Sequence, residues 1–207
     1  MPTRFLIMSA PDDVVDNAAF KFKIVLVGAQ QVGKTSLIRR FAENKFVGEY
    51  TSTVGTDITV KRVEINFGLI TYENSLMIWD LAGQPRFETI YDSFVKGAHA
   101  AMVVASQDDP DSFYGVEGDK LTKVNGVRDW INLVNQSGRL PTILLINKAD
   151  LDDNQIPDED IVQVCRETGI LGAYRTSAKN GLNVGKVFNT LAGMPLILAR
   201  LKYIKHW

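Results

Sequence analysis

The stretch Gly28-Ala29-Gln30-Gln31-Val32-Gly33-Lys34-Thr35 constrains this chain more than any other. It follows an apolar run from Phe20 to Val27 and precedes Ser36-Leu37-Ile38-Arg39-Arg40-Phe41. The spacing G-x-x-x-x-G-K-[ST] therefore sits between a strand pattern and a helix pattern, the context in which it wraps phosphate. Such a loop must turn its backbone N–H groups inward, and glycine permits that close approach without a Cβ clash. A helix starting near Gly33 aims its unpaired N–H groups and positive dipole end at the same anion. In that geometry the Lys34 ammonium neutralises β- and γ-phosphates, and the Thr35 hydroxyl ligates a Mg²⁺ that bridges them. The expected phosphate lining is Gln30, Gln31, Val32, Gly33, Lys34, Thr35 and Ser36. The motif predicts a triphosphate site but does not choose between bases.

Length and composition leave room for one domain. A chain of 207 residues suffices for a single α/β domain burying roughly 70% of its unfolded surface. A formal charge of −1 and the lack of long basic runs give no electrostatic footprint for nucleic acid. Cys165 is the single cysteine, so no intramolecular disulfide forms, and the chain reads as a resident of a reducing compartment, the cytoplasm. Cys165 sits in a helical pattern and is expected to be a buried structural thiol. Residues 1–19 read as an extension. Their apolar run Phe5-Leu6-Ile7-Met8 is too short for a signal-peptide core or a membrane span, and Asp12, Asp13 and Asp16 follow it.

Along the chain, Phe20 to Val27 passes from alternating to fully apolar, as a strand does on entering a sheet covered on both faces. A helix is expected over Lys34 to Glu43, then a polar, turn-rich segment from Asn44 to Thr56. Asp57 to Phe67 and Thr71 to Trp79 predict an antiparallel pair joined near Gly68. They deliver Asp80-Leu81-Ala82-Gly83-Gln84, where a strand-end carboxylate beside a phosphate loop suits a second Mg²⁺ contact. Gly83 offers its N–H to a γ-phosphate there, and Gln84 orients an attacking water. Further strands are expected at Ala98 to Ala105, Pro141 to Ile146 and Gly172 to Thr176, with a last helix from about Val184 into Leu191. The second of these carries Asn147-Lys148-Ala149-Asp150 to its C-terminal end, where ligands bind in open α/β sheets. A carboxylate at Asp150 accepts from guanine N1–H and the exocyclic amine, a pair that adenine does not present. The backbone of Ser177-Ala178-Lys179 is placed to bind the guanine carbonyl oxygen.

With these residues in order, the chain resembles the Ras-superfamily small GTPases, most closely the Rab branch, over roughly Phe20 to Leu191. Gly28 to Ser36, Thr53-Val54-Gly55, Trp79 to Phe87, Asn147 to Asp150 and Ser177 to Lys179 carry the resemblance. It implies a P-loop small G domain over residues 20–192, a six-stranded, mostly parallel sheet with one antiparallel edge strand and helices on both faces, and a C-terminal extension over 193–207. It implies that Phe46 stacks edge-on against guanine, that Tyr50 lies over the phosphates, and that Thr53 contacts both Mg²⁺ and the γ-phosphate. Catalysis would rest on Gln84, Lys34 and Thr53, with Thr35, Thr53 and Asp80 around the metal. Loss of the γ-phosphate would then release two switch segments, about Val47 to Asp57 and Ala82 to Gly97, which effector, exchange-factor and activating proteins read.

Four departures qualify the resemblance. Gln30 and Gln31 stand where the family favours small residues, so slow unassisted hydrolysis is one expectation; a harmless solvent-facing Gln30 and one that hydrogen-bonds the phosphates are the others. Pro85 replaces a residue commonly acidic and biases Gln84 away from the helical region. Tyr114 to Gly126 reads as a loop insertion that delays Trp130. The chain shows no cysteine near Trp207 for prenylation, so any membrane contact would come from Met194 to Leu201 and the basic residues beyond. A last helix packed on the domain competes with that reading, and Pro195 is expected to kink or end it. The reading is a GTP-hydrolysing switch, possible roles in trafficking included; the alternative is a GTP-bound scaffold that hydrolyses slowly or not at all.

Overall fold

The computed structural model describes residues 20–48, 53, 55–67, 70–83, 88–116, 124, 126–136, 138–152 and 154–204. Strand β1 (Phe20–Val27) is followed by helix α1 (Lys34–Glu43), strands β2 (Thr56–Phe67) and β3 (Ile70–Leu81), and helix α2 (Glu88–Val95). Strand β4 (Ala100–Ser106) leads to helices α3 (Asp111–Tyr114) and α4 (Val127–Asn135). Strand β5 (Thr142–Asn147), helix α5 (Asp158–Thr168), strand β6 (Gly172–Arg175) and helix α6 (Val184–Ile204) complete the order. The sheet runs β2-β3-β1-β4-β5-β6, with β2 antiparallel to β3 and every other pairing parallel. This is the architecture the sequence predicts.

The apolar run of β1 has a physical reason. Phe22, Ile24 and Leu26 pack into one buried cluster with Leu37 of α1 and Phe188 and Leu191 of α6. Val25 and Val27, pointing the other way, join a second cluster with Tyr91 of α2, Trp130 of α4 and Val164 of α5. A strand covered on both faces has no solvent side, so alternation gives way to continuous hydrophobicity. Phe41 of α1 and Phe188 of α6 stack with centroids 4.2 Å apart, fixing the helices that flank the phosphate loop and the base loop. The β2–β3 edge is different: β2 leaves Ile58 and Val60 exposed, because one face of that antiparallel pair meets solvent.

Several boundaries move from the sequence expectation. Strand β4 starts at Ala100 rather than Ala98, because His99 N–H donates to Lys23 O (2.8 Å) ahead of the parallel pairing at Ile24 and Ala100. Helix α6 neither stops at Leu191 nor ends at Pro195; it continues to Ile204 and crosses the 192/193 boundary. A proline inside a helix removes one donor; just before it, the side-chain amide of Asn74 donates to the Ala192 carbonyl (3.4 Å) and ties the helix to β3. Gly193 also packs near Ile65 of β2, so the helix gains tertiary support past the point where its own pattern falters. Cys165 is half-buried rather than fully buried, and burial pushes its thiol pKa up, which keeps it a poor nucleophile.

The inserted segment leaves and returns at one place. Residues 117–123 and 125 lie outside the described residues, yet its two ends meet. A Cβ on Gly126 would lie 2.7 Å from the Gly115 nitrogen, and both glycines hold positive φ (91° and 89°). Helices α3 and α4 thus stand on either side of the expected insertion, their facing ends in contact. The expected extension 1–19 likewise lies outside the described residues.

Candidate functional site

The C-terminal ends of β1, β3 and β5 converge on a cavity of about 460 Å³, within the size range of small-molecule sites. Strand order reverses around β1, and that switch point is where open α/β sheets leave a crevice. Most predicted site residues line it: Gln30, Gln31, Gly33, Lys34, Thr35, Ser36, Phe46, Thr53, Gly83, Asn147, Lys148, Asp150, Ala178 and Lys179. Val32, Asp80 and Ser177 do not; all three are buried behind the wall. Tyr50 and Gln84 lie outside the described residues.

Two glycines have no substitute here. Gly28 holds φ 143°, and a Cβ on it would lie 2.1 Å from the Val104 carbonyl of β4. Gly33, at φ 95°, caps α1, and a Cβ on it would lie 2.2 Å from the Asn147 side-chain amide nitrogen. That amide donates to Val32 O at 2.9 Å, so the residue that begins the base motif braces the phosphate loop from behind. Gln31, in contrast, is a non-glycine held at φ 64°, a left-handed conformation that costs a β-carbon residue energy.

Lys34 is buried, and its ammonium donates to the carbonyls of Gly28 (2.9 Å) and Ala29 (2.7 Å). Burial lowers its pKa to about 8, against an opposing pull from Asp80. The charged form is thus held with incomplete compensation, a condition that an incoming anion relieves. Beside it, Thr35 Oγ1 lies 2.8 Å from Thr53 Oγ1 and donates to Asp80 Oδ2. Asp80 Oδ1 is buried and has no hydrogen-bond partner among the described residues. Burial raises the Asp80 pKa, while the Thr35 hydrogen bond and Lys34 pull it down. Two hydroxyls and a carboxylate with an orphaned oxygen, meeting at one point, are a hard-oxygen donor set that fits Mg²⁺. The phosphate loop, Lys34 and α1 dipole beside them fit a polyphosphate.

The end of the cavity expected to take the base is built from two loops. Asp150 is mostly buried; its Oδ1 accepts from Ser177 Oγ (2.5 Å) and its Oδ2 lies 3.6 Å from Lys179 Nζ. Lys148, at φ 63°, pairs with Asp108 at 3.0 Å. Arg40 of α1 was not singled out from the sequence, yet it donates to Ala178 O (2.7 Å) and Lys179 O (2.6 Å) and so fixes the second loop. Its signal in the sequence was absent, because the contact spans 138 residues. The segments near the phosphate end are also joined: Ala82 N–H donates to Gly55 O (3.0 Å), and Tyr91 Oη to Ala82 O (2.9 Å).

Comparison with known proteins agrees with this geometry. The Ras family profile matches residues 23–195. Ras-related protein RIC1 of Oryza sativa subsp. japonica is 35% identical over 176 residues, covering 84% of this chain and 80% of that protein. GTP-binding protein YPT1 of Saccharomyces cerevisiae is 31% identical over 175 residues, covering 84% and 78%. Ras-related protein Rab7 of Drosophila melanogaster is 32% identical over 172 residues, covering 82% and 78%.

Proposed function

Since the chain belongs to the Ras family of small GTPases, we propose that it is a Rab-like switch that binds GTP and GDP with Mg²⁺ and hydrolyses GTP by in-line attack of water. The observation that carries this reading is the convergence of Thr35, Thr53 and Asp80, with Asp80 Oδ1 orphaned, beside the Lys34 ammonium. When bound, Mg²⁺ would be held by Thr35, Thr53 and Asp80 and would supply neutralisation of the phosphate charge.

Every other task falls to this chain. Lys34 and the N–H groups around Gly33 hold the phosphates, Gly83 presents its N–H at the γ-end, and Gln84 orients the attacking water. No strong base is required, because phosphoryl transfer of this type depends on positioning and electrostatics. Thr53 and Gly83 belong to two segments already linked through Gly55 and Ala82, so losing contacts at one loosens the other. Effectors and regulators would read the surface that these segments form. Among the described residues no helix is long and apolar enough to cross a membrane.

The test is GDP release from the purified chain, followed with a fluorescent GDP before and after Mg²⁺ chelation. Removing the ion is expected to accelerate release on the order of 10²-fold, since a metal–phosphate clamp contributes several kcal/mol. In Asp80→Asn the native protein's chelation effect should shrink to a few-fold. Release indifferent to Mg²⁺ in the unmodified chain would remove Thr35, Thr53 and Asp80 from the role given them.

A further inference from the structure

We propose that Arg175 is the positioning residue that sets guanine discrimination, by clasping the loop that carries Asp150 to the end of β6. The proposal rests on the guanine-nucleotide reading above. Arg175 is the last residue of β6 and is not among the residues that line the cavity, so it touches no base itself. An arginine has five N–H donors in a fixed planar fork. Here all five are used. Nε and one Nη2 hydrogen go to Asp158 Oδ1 (3.1 and 2.6 Å), the other Nη2 hydrogen to Ile156 O (2.8 Å), and the Nη1 pair to Gln107 Oε1 (3.1 Å) and Asn154 Oδ1 (2.9 Å).

These partners lie along the return path from Asp150. Asn154 and Ile156 belong to the connection between the base motif and α5, and Asp158 is the first residue of α5. Gln107 extends the clasp to Asp150's own neighbour: with its amide oxygen on Arg175, its Nε2 donates to Leu151 O (2.9 Å), and its backbone N–H donates to Asn147 O (2.9 Å). On the other side the Arg175 carbonyl accepts from Asn183 Nδ2 (2.8 Å), and Thr176 O accepts from Ala149 N–H (2.9 Å). One guanidinium therefore holds the loop bearing Asp150 against the strand that leads into Ser177, whose hydroxyl Asp150 accepts. The carboxylate's aim at a base depends on that clasp, whereas the guanidinium itself makes no contact with the phosphate loop, which meets the clasp only through Asn147.

The chemistry gives a readout that general loosening of the fold would not move. Inosine diphosphate lacks only the exocyclic amine, one of the two groups Asp150 accepts from. A displaced Asp150 loses two contacts with GDP but only the N1–H contact with IDP, so GDP suffers more than IDP. In Arg175→Ala, GDP release from the Mg²⁺-bound protein is expected to rise by about tenfold or more, the equivalent of one charge-assisted hydrogen bond, while IDP release changes far less. The GDP-over-IDP preference falls toward one. Arg175→Lys, which keeps the charge and stem but not the fork, should lose most of the same preference. Arg128→Ala, removing an exposed pair with Glu167 away from both loops, should behave as the unmodified chain. An unchanged GDP-over-IDP preference in Arg175→Lys or Arg175→Ala overturns the proposal. An unmodified chain that retains neither nucleotide overturns the guanine-nucleotide reading instead.

Discussion

Lys34→Ala is expected to lower affinity for GDP and GTP by on the order of 10²–10³-fold, because truncating one partner of a buried charge contact costs roughly 2–5 kcal/mol. The side chain is buried, and its burial already depresses its pKa to about 8. Its present partners are the Gly28 and Ala29 carbonyls of the loop itself, so the ammonium sits within reach of whatever that loop encloses. The fold should survive the change. Removing an incompletely compensated buried cation does not withdraw packing from either apolar cluster, whose members are aliphatic and aromatic. Fluorescent-GDP titration measures the first expectation and a thermal melt without nucleotide the second. Retained affinity with an unchanged melt would show that the loop holds phosphates without its lysine.

Asp150→Asn should invert base preference rather than abolish binding. The carboxylate presents acceptors only, matching guanine N1–H and the exocyclic amine; an asparagine amide presents one acceptor and one donor, matching xanthine N1–H and its 2-oxo group. Sites built on such pairs discriminate by up to ~10⁴-fold, because the wrong partner leaves a buried polar group unpaired. Asp150 is well placed for this, being mostly buried, with Ser177 at 2.5 Å on one oxygen and Lys179 at 3.6 Å from the other. Competition between GDP and XDP for the same labelled nucleotide reads the inversion. A variant that weakens for both diphosphates alike would remove Asp150 from base selection and leave it a structural brace.

What the sequence made legible were the elements whose cause is local. The phosphate loop announces itself because its glycines answer to close contacts: Gly28 against Val104 and Gly33 against Asn147. Buried strands announce themselves because both faces are covered. What was not legible depends on residues far apart in the chain. Arg40 reads as one more basic residue on a helix until Ala178 is folded onto it, and Arg175 as a strand end until residues 107 and 154–158 surround it. Asn147 was legible as part of a motif, but its brace on Val32, 115 residues away, was not. Helix α6 outran its expected end for a similar reason. Pro195 signals a stop locally, while the contacts of Ala192 with Asn74 and of Gly193 with Ile65, which dock the helix just before it, come from the sheet.

Gln30 and Gln31 bear on the choice between a cycling switch and a GTP-bound scaffold. Both line the cavity, and Gln31 occupies a left-handed backbone position that a glycine would hold without strain. That backbone position decides nothing about turnover, so the rate has to be measured. The most direct measurement is single-turnover hydrolysis of GTP with Mg²⁺, in the unmodified chain and in Gln84→Leu. A cycling switch predicts slow conversion to GDP, near ~10⁻⁴ to 10⁻³ s⁻¹ without a partner, that Gln84→Leu reduces at least tenfold. GTP that stays intact in both proteins, or is hydrolysed equally fast in both, would contradict it.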